Sequence, residues 1–374
     1  MTDDALVRRV RRRLVAGGLP ASRAGVALAV RGDSPTQDAT RVLATVDALR
    51  DELAGAGPLE PLLHEDGVTD VLVNGAAEVW VDRGRGLELT DVRFGSEREL
   101  RRLAVRLAAA AGRRLDDAVP CADVRLPDGV RLHAVLPPVS PGRTCLSLRV
   151  PARRALTLDD WSRDGATPPA ATALLAELIA ARLSFVVTGG TGSGKTTLLS
   201  TLLGLVDPAQ RVVLVEDSAE LRPDHPHVVR LEARAANAEG VGAIELRALV
   251  REALRMRPDR LVVGEVRGAE CVDLLAALNI GHDGGAGTLH ANSPADVPAR
   301  VEALCTAGGL SREAAHSQLA AGVRAVVHLS RDERGRRRVH SVGVLRRAGG
   351  GLVEVAPALR VVDGAVVDEP GRRE

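Results

Sequence analysis

The sequence predicts an α/β chain in which a smaller α+β domain and a helical N-terminal arm precede the main sheet, and three observations carry that prediction. Beyond residue 170, short apolar runs alternate with segments of helical period, the pattern of a parallel sheet flanked by helices. Between residues 51 and 150 the runs are β-branched, short, and bounded by Asn-Gly and Asp-Gly turn signals. Residues 1–50 are rich in Ala and Arg and read as helical. The expected division is therefore 1–50 for the arm, 51–150 for the α+β domain, 151–169 for a linker, 170–345 for the sheet-and-helix core and 346–374 for a C-terminal segment.

Within the arm, Arg31-Gly-Asp-Ser-Pro35 marks a break, and residues 4–16 form a basic amphipathic stretch that reads as a solvated arm packed on its neighbours. The texture changes at Gly57-Pro-Leu-Glu-Pro61. Strands are expected at 68–74 and 78–82, then a helix over 97–112 with Leu100, Leu103, Ala104 and Leu107 at 3–4 spacing. Further strands follow at 123–126, at 131–136 across a Pro127-Asp-Gly129 turn, and at 145–150. Residues 151–169 are polar, charged and Pro/Gly-rich, hence the linker. In the core, 183–188 reads as a buried strand, 196–205 as a helix, 211–215 as a strand and 261–263 as another. Residues 244–256 carry Leu246, Leu249, Val250, Ala253 and Leu254 on one helical face, stopped by Pro258.

Composition narrows the classes. The length of 374 residues suits two or three domains. Aromatics are 1% of the chain, so Val, Leu and Ala must fill the cores. Fifty basic and 49 acidic residues give a net charge of +1, with no polyelectrolyte signature for nucleic acid. Cys121, Cys145, Cys271 and Cys305 are scattered, without C-x-x-C or zinc spacing, and read as reduced and structural. No apolar run reaches the ~18 residues of a spanning helix; the best, 170–188, is broken by Glu177 and Arg182. No signal-peptide core follows the N-terminal arginines. The expected location is cytoplasmic, with any membrane contact peripheral.

The most informative residue is the one lysine, Lys195, in a chain whose other 49 basic residues are arginine. It closes Gly189-Gly190-Thr191-Gly192-Ser193-Gly194-Lys195-Thr196-Thr197, which fits the P-loop pattern G-x-x-x-x-G-K-[ST] between an apolar strand and a helix. Glycines let backbone N–H groups converge on phosphate oxygens, and the helix N-terminus adds its positive end. Lys195 offers a compact ammonium where the broad fork of arginine would not fit. It should bridge the β and γ oxygens of a nucleotide, while Thr196 turns its hydroxyl to Mg²⁺. Two acidic strand ends complete the set, Glu216-Asp217 and Glu265. In parallel sheets ligands sit outside the carboxyl ends of strands, so both should face the P-loop. One acid should help hold the metal and the other orient or deprotonate water. A glycine-dense stretch, Gly281-His282-Asp283 to Thr288-Leu289-His290, ends in a histidine that could meet the γ-phosphate; on chemistry alone a satisfied core histidine is the leading reading.

These motifs resemble the secretion ATPases of the type II/IV secretion superfamily, most closely the TadA/CpaF-like ATPases of Flp/Tad pilus assembly, which are VirB11-related. The resemblance spans roughly 57–330. It rests on Gly57-Pro-Leu-Glu-Pro-Leu62, Val68-Thr-Asp-Val-Leu-Val-Asn-Gly75, Arg125-Leu-Pro-Asp-Gly-Val-Arg131 and the P-loop. It also rests on Val215-Glu-Asp-Ser-Ala-Glu-Leu221 and on Arg255 to Arg267, similar to the family's Asp box and Walker B. Gly281-His-Asp-Gly284 with Thr288-Leu-His-Ala-Asn-Ser293 is similar to its His box.

The resemblance implies a RecA-like P-loop ATPase core using ATP and Mg²⁺. It implies a homo-oligomer, a hexameric ring, seated at a membrane platform protein on the cytoplasmic side. It also assigns Glu216 as general base, Glu265 as the acid acting on Mg²⁺ and water, and His290 as a site residue. Arginines of the N-terminal domain, Arg131 first and Arg149 next, should reach the γ-phosphate. The aromatic that the family carries after residue 150 is missing here, so no adenine contact is placed. A P-loop ATPase serving conjugal DNA transfer or DNA translocation is the alternative, with direct nucleic-acid contact disfavoured by the neutral charge.

Overall fold

The computed structural model describes residues 10, 12, 13, 16, 27, 28, 55–84, 86–151, 155–234, 236, 241–332, 335–362 and 365–368. The expected arm over 1–50 and its basic stretch 4–16 lie outside them, apart from six helical positions. Contacts divide the chain into two units, Met1–Ala152 and Arg153–Glu374.

The first unit is an antiparallel sheet of six strands in the order β3-β2-β1-β6-β5-β4. Its strands are β1 (Asp70–Asn74), β2 (Val79–Asp82), β3 (Leu87–Leu89), β4 (Cys121–Arg125), β5 (Arg131–Val135) and β6 (Cys145–Arg149). Strict alternation buries Val71 and Val73, Val79 and Val81, Leu132 and Ala134, and Leu146 and Leu148 on one face. Against that face packs α2 (Glu97–Ala110), which follows the short α1 (Glu60–His64). Helix α2 starts where Ser96 accepts a hydrogen bond from the Glu99 N–H, and it buries Leu100, Leu103, Ala104 and Leu107.

The second unit is a nine-stranded sheet in the order β15-β14-β13-β12-β7-β11-β10-β8-β9. Strands β7 (Phe185–Gly189), β8 (Val212–Glu216), β9 (Val228–Glu232), β10 (Arg260–Val266), β11 (Ala286–Leu289) and β12 (Ala325–Arg331) run parallel. Strands β13 (Arg337–Arg347), β14 (Val353–Val362) and β15 (Ala365–Asp368) extend it antiparallel. Both faces are covered, which explains the continuous apolar runs. Phe185, Val187, Val212 and Leu214 face α3 (Leu158–Arg163), α4 (Pro169–Ala180) and α5 (Lys195–Leu203). Val186, Val213, Val215 and Val263 face α6 (Leu246–Leu254), α7 (Glu270–Asn279), α8 (Val297–Ala307) and α9 (Arg312–Gly322). Among the described residues no helix is long and apolar enough to cross a membrane.

Two boundaries differ from the expectation. The stretch expected as a linker contains α3, opened by a Thr157/Asp160 capping box, and Trp161 is buried in the core with its indole N–H donated to Thr201 Oγ1 on α5 (3.1 Å). The segment from 346 is likewise no separate piece, because β13 runs through it and β14 and β15 continue the same sheet. These strands cover the flank of β12, which would otherwise expose a hydrogen-bonding edge.

Candidate functional site

Strand order brings the predicted residues together. The parallel strands β7, β11, β10 and β8 are successive neighbours, so their carboxyl ends form one edge. That edge carries, in order, the P-loop, His290 just past β11, Glu265 on β10 and Glu216 at the end of β8.

The loop turns on glycines that no other residue could replace without strain. Gly189, Gly192 and Gly194 have φ of 146°, 69° and 98°, the left-handed region that disfavours a Cβ. Gly194 is also the N-cap of α5, which points its free N–H groups into the loop. Lys195 is 7% exposed and donates Nζ to Gly189 O (3.0 Å) and Gly190 O (2.9 Å). Burial holds its pKa below the usual lysine value, opposed by the charge of Glu265. Thr196 and Thr197 lie half-buried in the first turn of α5.

Lys195 Nζ also lies 3.5 Å from His290 Nδ1. An ammonium has no lone pair, so Nδ1 must accept and the neutral ring carries its proton on Nε2. Nε2 faces Glu265 Oε1 at 2.8 Å. Burial, and then Lys195, push the His290 pKa down, which agrees with a neutral ring. Glu265 Oε2 accepts from Arg267 Nη2 at 2.6 Å. The sequence shows Arg267 within a motif but not this partnership, which needs the turn after β10 to fold back.

Glu216 is 3% exposed. Its Oε1 accepts from the N–H groups of Glu220 and Leu221, both at 2.9 Å, and its Cγ fills the space over Gly264, where a Cβ would sit 2.7 Å away. Burial raises its pKa to about 7. Asp217, one residue on, is exposed.

Two buried oxygens at this edge lack a hydrogen-bond partner: Ser193 Oγ and Glu216 Oε2. Buried acceptors are seldom left so. With Thr196 they are hard oxygen donors, the type Mg²⁺ takes. No cluster of three His, Cys, Asp or Glu side chains forms a metal cage among the described residues.

One expected grouping looks different in three dimensions. The glycine-dense stretch is split by β11: His290 follows it, whereas Gly281 to Gly284 lie at its amino end, where Arg260 Nη1 donates to Gly284 O (3.3 Å). Arg131 and Arg149 are cross-strand neighbours in the six-stranded sheet. Arg131 forks onto Asp123 at 3.1 and 2.9 Å, and Arg149 Nε lies 3.5 Å from Asp70 Oδ1.

A glycine cradle with a buried lysine, facing two acids and a histidine across a RecA-like parallel sheet, defines a P-loop ATPase. The chain belongs to the type II/IV secretion system protein family, whose model matches residues 52–351. It is 59% identical over 317 residues to a putative conjugal transfer protein of Mycobacterium tuberculosis, covering 83% of this chain and 90% of that one. It is 30% identical over 309 residues to the probable conjugal transfer protein TrbB of Sinorhizobium fredii, covering 81% and 90%. Among solved structures it shares its fold with the Legionella pneumophila ATPase DotB, at TM-score 0.55, 21% identity and 83% coverage of both chains. The pilus retraction motor PilT with bound ADP gives TM-score 0.53 and 19% identity, covering 83% and 82%.

Proposed function

We propose that this chain is the ATP-hydrolysing motor of a type II/IV secretion or Tad-type pilus assembly machine. It works as a hexameric ring on the cytoplasmic face of a membrane platform. The observation that carries the chemistry is the row of Lys195, His290, Glu265 and Glu216 along one sheet edge, with buried oxygens left for a ligand. Lys195 and the loop N–H groups bind the β and γ phosphates. Thr196 and Glu265 would hold Mg²⁺, which would supply neutralisation of the phosphate charge. Glu216 takes the proton of the attacking water; a carboxylate whose pKa burial has raised to about 7 is matched to that task near neutrality. His290 senses the γ-phosphate between Lys195 and Glu265. Arg131 and Arg149 are the candidates for arginines that reach the γ-phosphate. The names of two relatives favour a second reading, in which the same motor serves conjugal DNA transfer.

The test is phosphate release from Mg²⁺-ATP by the full chain and by Glu216→Gln. The variant should bind ATP and lose turnover by about 10²–10⁴-fold. For the parent, kcat/KM should rise as pH climbs through about 7, where Glu216 ionises, and then level off, a limb the variant lacks. Equal turnover in both proteins would refute the base assignment. A strict monomer in the presence of a non-hydrolysable ATP analogue would refute the ring.

A further inference from the structure

A triphosphate held by the P-loop has a direction. Lys195 leans toward His290, and Glu265 and Glu216 lie beyond it on β10 and β8. The groups suited to act on the γ-phosphate therefore stand on one flank of β7. The strand order β12-β7-β11-β10-β8 leaves β12 on the other flank, and the nucleoside end of the same ligand points there. Strand β12 ends in Arg331, β13 begins with Arg337, and the two residues are cross-strand partners. Both reach the loop. Arg331 donates Nε and Nη2 to Gly192 O at 3.2 and 2.9 Å, which ties the strand end to the loop backbone. The stem of Arg337 runs over Gly194: a Cβ on that glycine would stand 3.1 Å from Arg337 Cδ and 3.4 Å from the Trp161 ring. Arg336 and Arg338 turn instead to Asp332, at 3.1 and 2.9 Å.

We propose that Arg337 is a specificity-determining residue of the nucleotide site, its guanidinium the flat face against which the base of a nucleoside triphosphate stacks. The proposal rests on the ATPase reading above. A nucleobase is commonly received by the face of an aromatic ring. Tyrosine is absent from this chain, and beyond residue 152 Phe and Trp occur once each, as Phe185 and Trp161. Phe185 is fully buried at the start of β7. Trp161 is 4% exposed, with its indole N–H given to Thr201 on α5. Neither ring can turn a face to a ligand. A guanidinium is also planar and stacks on aromatic systems, where an ammonium offers a point charge alone. Arg337 is half-buried, so its stem is braced by the loop and by Trp161 rather than free in solvent. Gly194 makes that placement possible, because a side chain there would push the stem off the loop.

The experiment compares two ligands on the full chain by calorimetry at fixed Mg²⁺: a non-hydrolysable ATP analogue, and tripolyphosphate, which has the phosphates without the nucleoside. Arg337→Ala should weaken the ATP analogue about tenfold and tripolyphosphate by less than about twofold. Arg337→Lys keeps the stem and the charge but loses the plane. It should match Arg337→Ala, and it serves if that variant folds poorly. In steady-state turnover KM for ATP should rise by the same factor, with kcat nearly as it was. Equal weakening of both ligands would put Arg337 on the phosphates and overturn the inference. Affinity for the ATP analogue that lysine restores, or that neither folded variant alters, would overturn it as well. A parent chain that binds tripolyphosphate as tightly as the ATP analogue would also overturn it, while leaving the ATPase reading in place. A parent that binds neither ligand would fail that reading, and the inference with it.

Discussion

The core sheet buries a cation at each end of its parallel strands, and the two are held in opposite ways. At the amino ends Arg260, 1% exposed, gives Nε to Gln210 Oε1 (2.8 Å), Nη1 to Gly284 O (3.3 Å) and Nη2 to Ile179 O (2.9 Å). Burial lowers its pKa to about 10, and each nitrogen has an acceptor. At the carboxyl ends Lys195 also donates to backbone carbonyls, yet Ser193 Oγ and Glu216 Oε2 around that edge are buried without partners. A planar fork with an acceptor on each nitrogen closes a joint between the end of α4 and two loops. A point charge among unmet oxygens marks a place built for something else. Burial of a cation therefore does not distinguish stability from function; the state of its neighbours does.

The strongest way to break this comparison is Arg260→Leu. It leaves two backbone carbonyls and the Gln210 amide oxygen facing an apolar side chain, so the folded state should lose about 3–5 kcal/mol. Denaturant titration measures that loss, and ATP turnover per folded molecule should stay unchanged. Unaltered stability would mean that the joint at the amino edge does no structural service. Lys195→Ala should do the converse. Turnover should fall about 10²–10³-fold, while stability moves by less than about 1 kcal/mol, because two carbonyl bonds and the lysine's own desolvation disappear together. Lys195→Arg should fail nearly as badly, since the fork does not fit the cradle. Retained turnover in either variant would contradict the assignment.

The two ends also differ in how far the sequence discloses them. The P-loop is a local pattern, so eight consecutive positions from Gly189 suffice to place it. Glu216 and Glu265 are legible once each is seen to end a strand, because topology sends such ends to one edge. His290 needs the resemblance, since only the β11–β7 pairing sets it beside Lys195. The joint at Arg260 is opaque: its acceptors come from 179, 210 and 284, which nothing in the linear order groups. In sequence Gly281 to Gly284 reads as one constellation with His290, although a strand of four residues at ~3.3 Å each separates them. The Thr157/Asp160 capping box is present in the sequence but is outweighed by the Pro/Gly texture around it, which hides α3 and its buried Trp161.

Arg331 sharpens the comparison with the smallest effect. It too is a cation on the P-loop, forking onto Gly192 O, but its side chain is exposed and water can replace what it gives. Exposed hydrogen bonds of this kind are worth about 0.5–1 kcal/mol. Arg331→Gln should therefore raise KM for ATP about two- to fivefold, by loosening the loop before phosphate binds, and leave kcat nearly as it was. Steady-state kinetics at fixed Mg²⁺ separates the two parameters. A fall in kcat as large as that of Lys195→Ala would show that Arg331 leaves Gly192 and enters the phosphate site during turnover. The division would then run between cations that move and cations that stay, and exposure would no longer tell a brace from a catalyst.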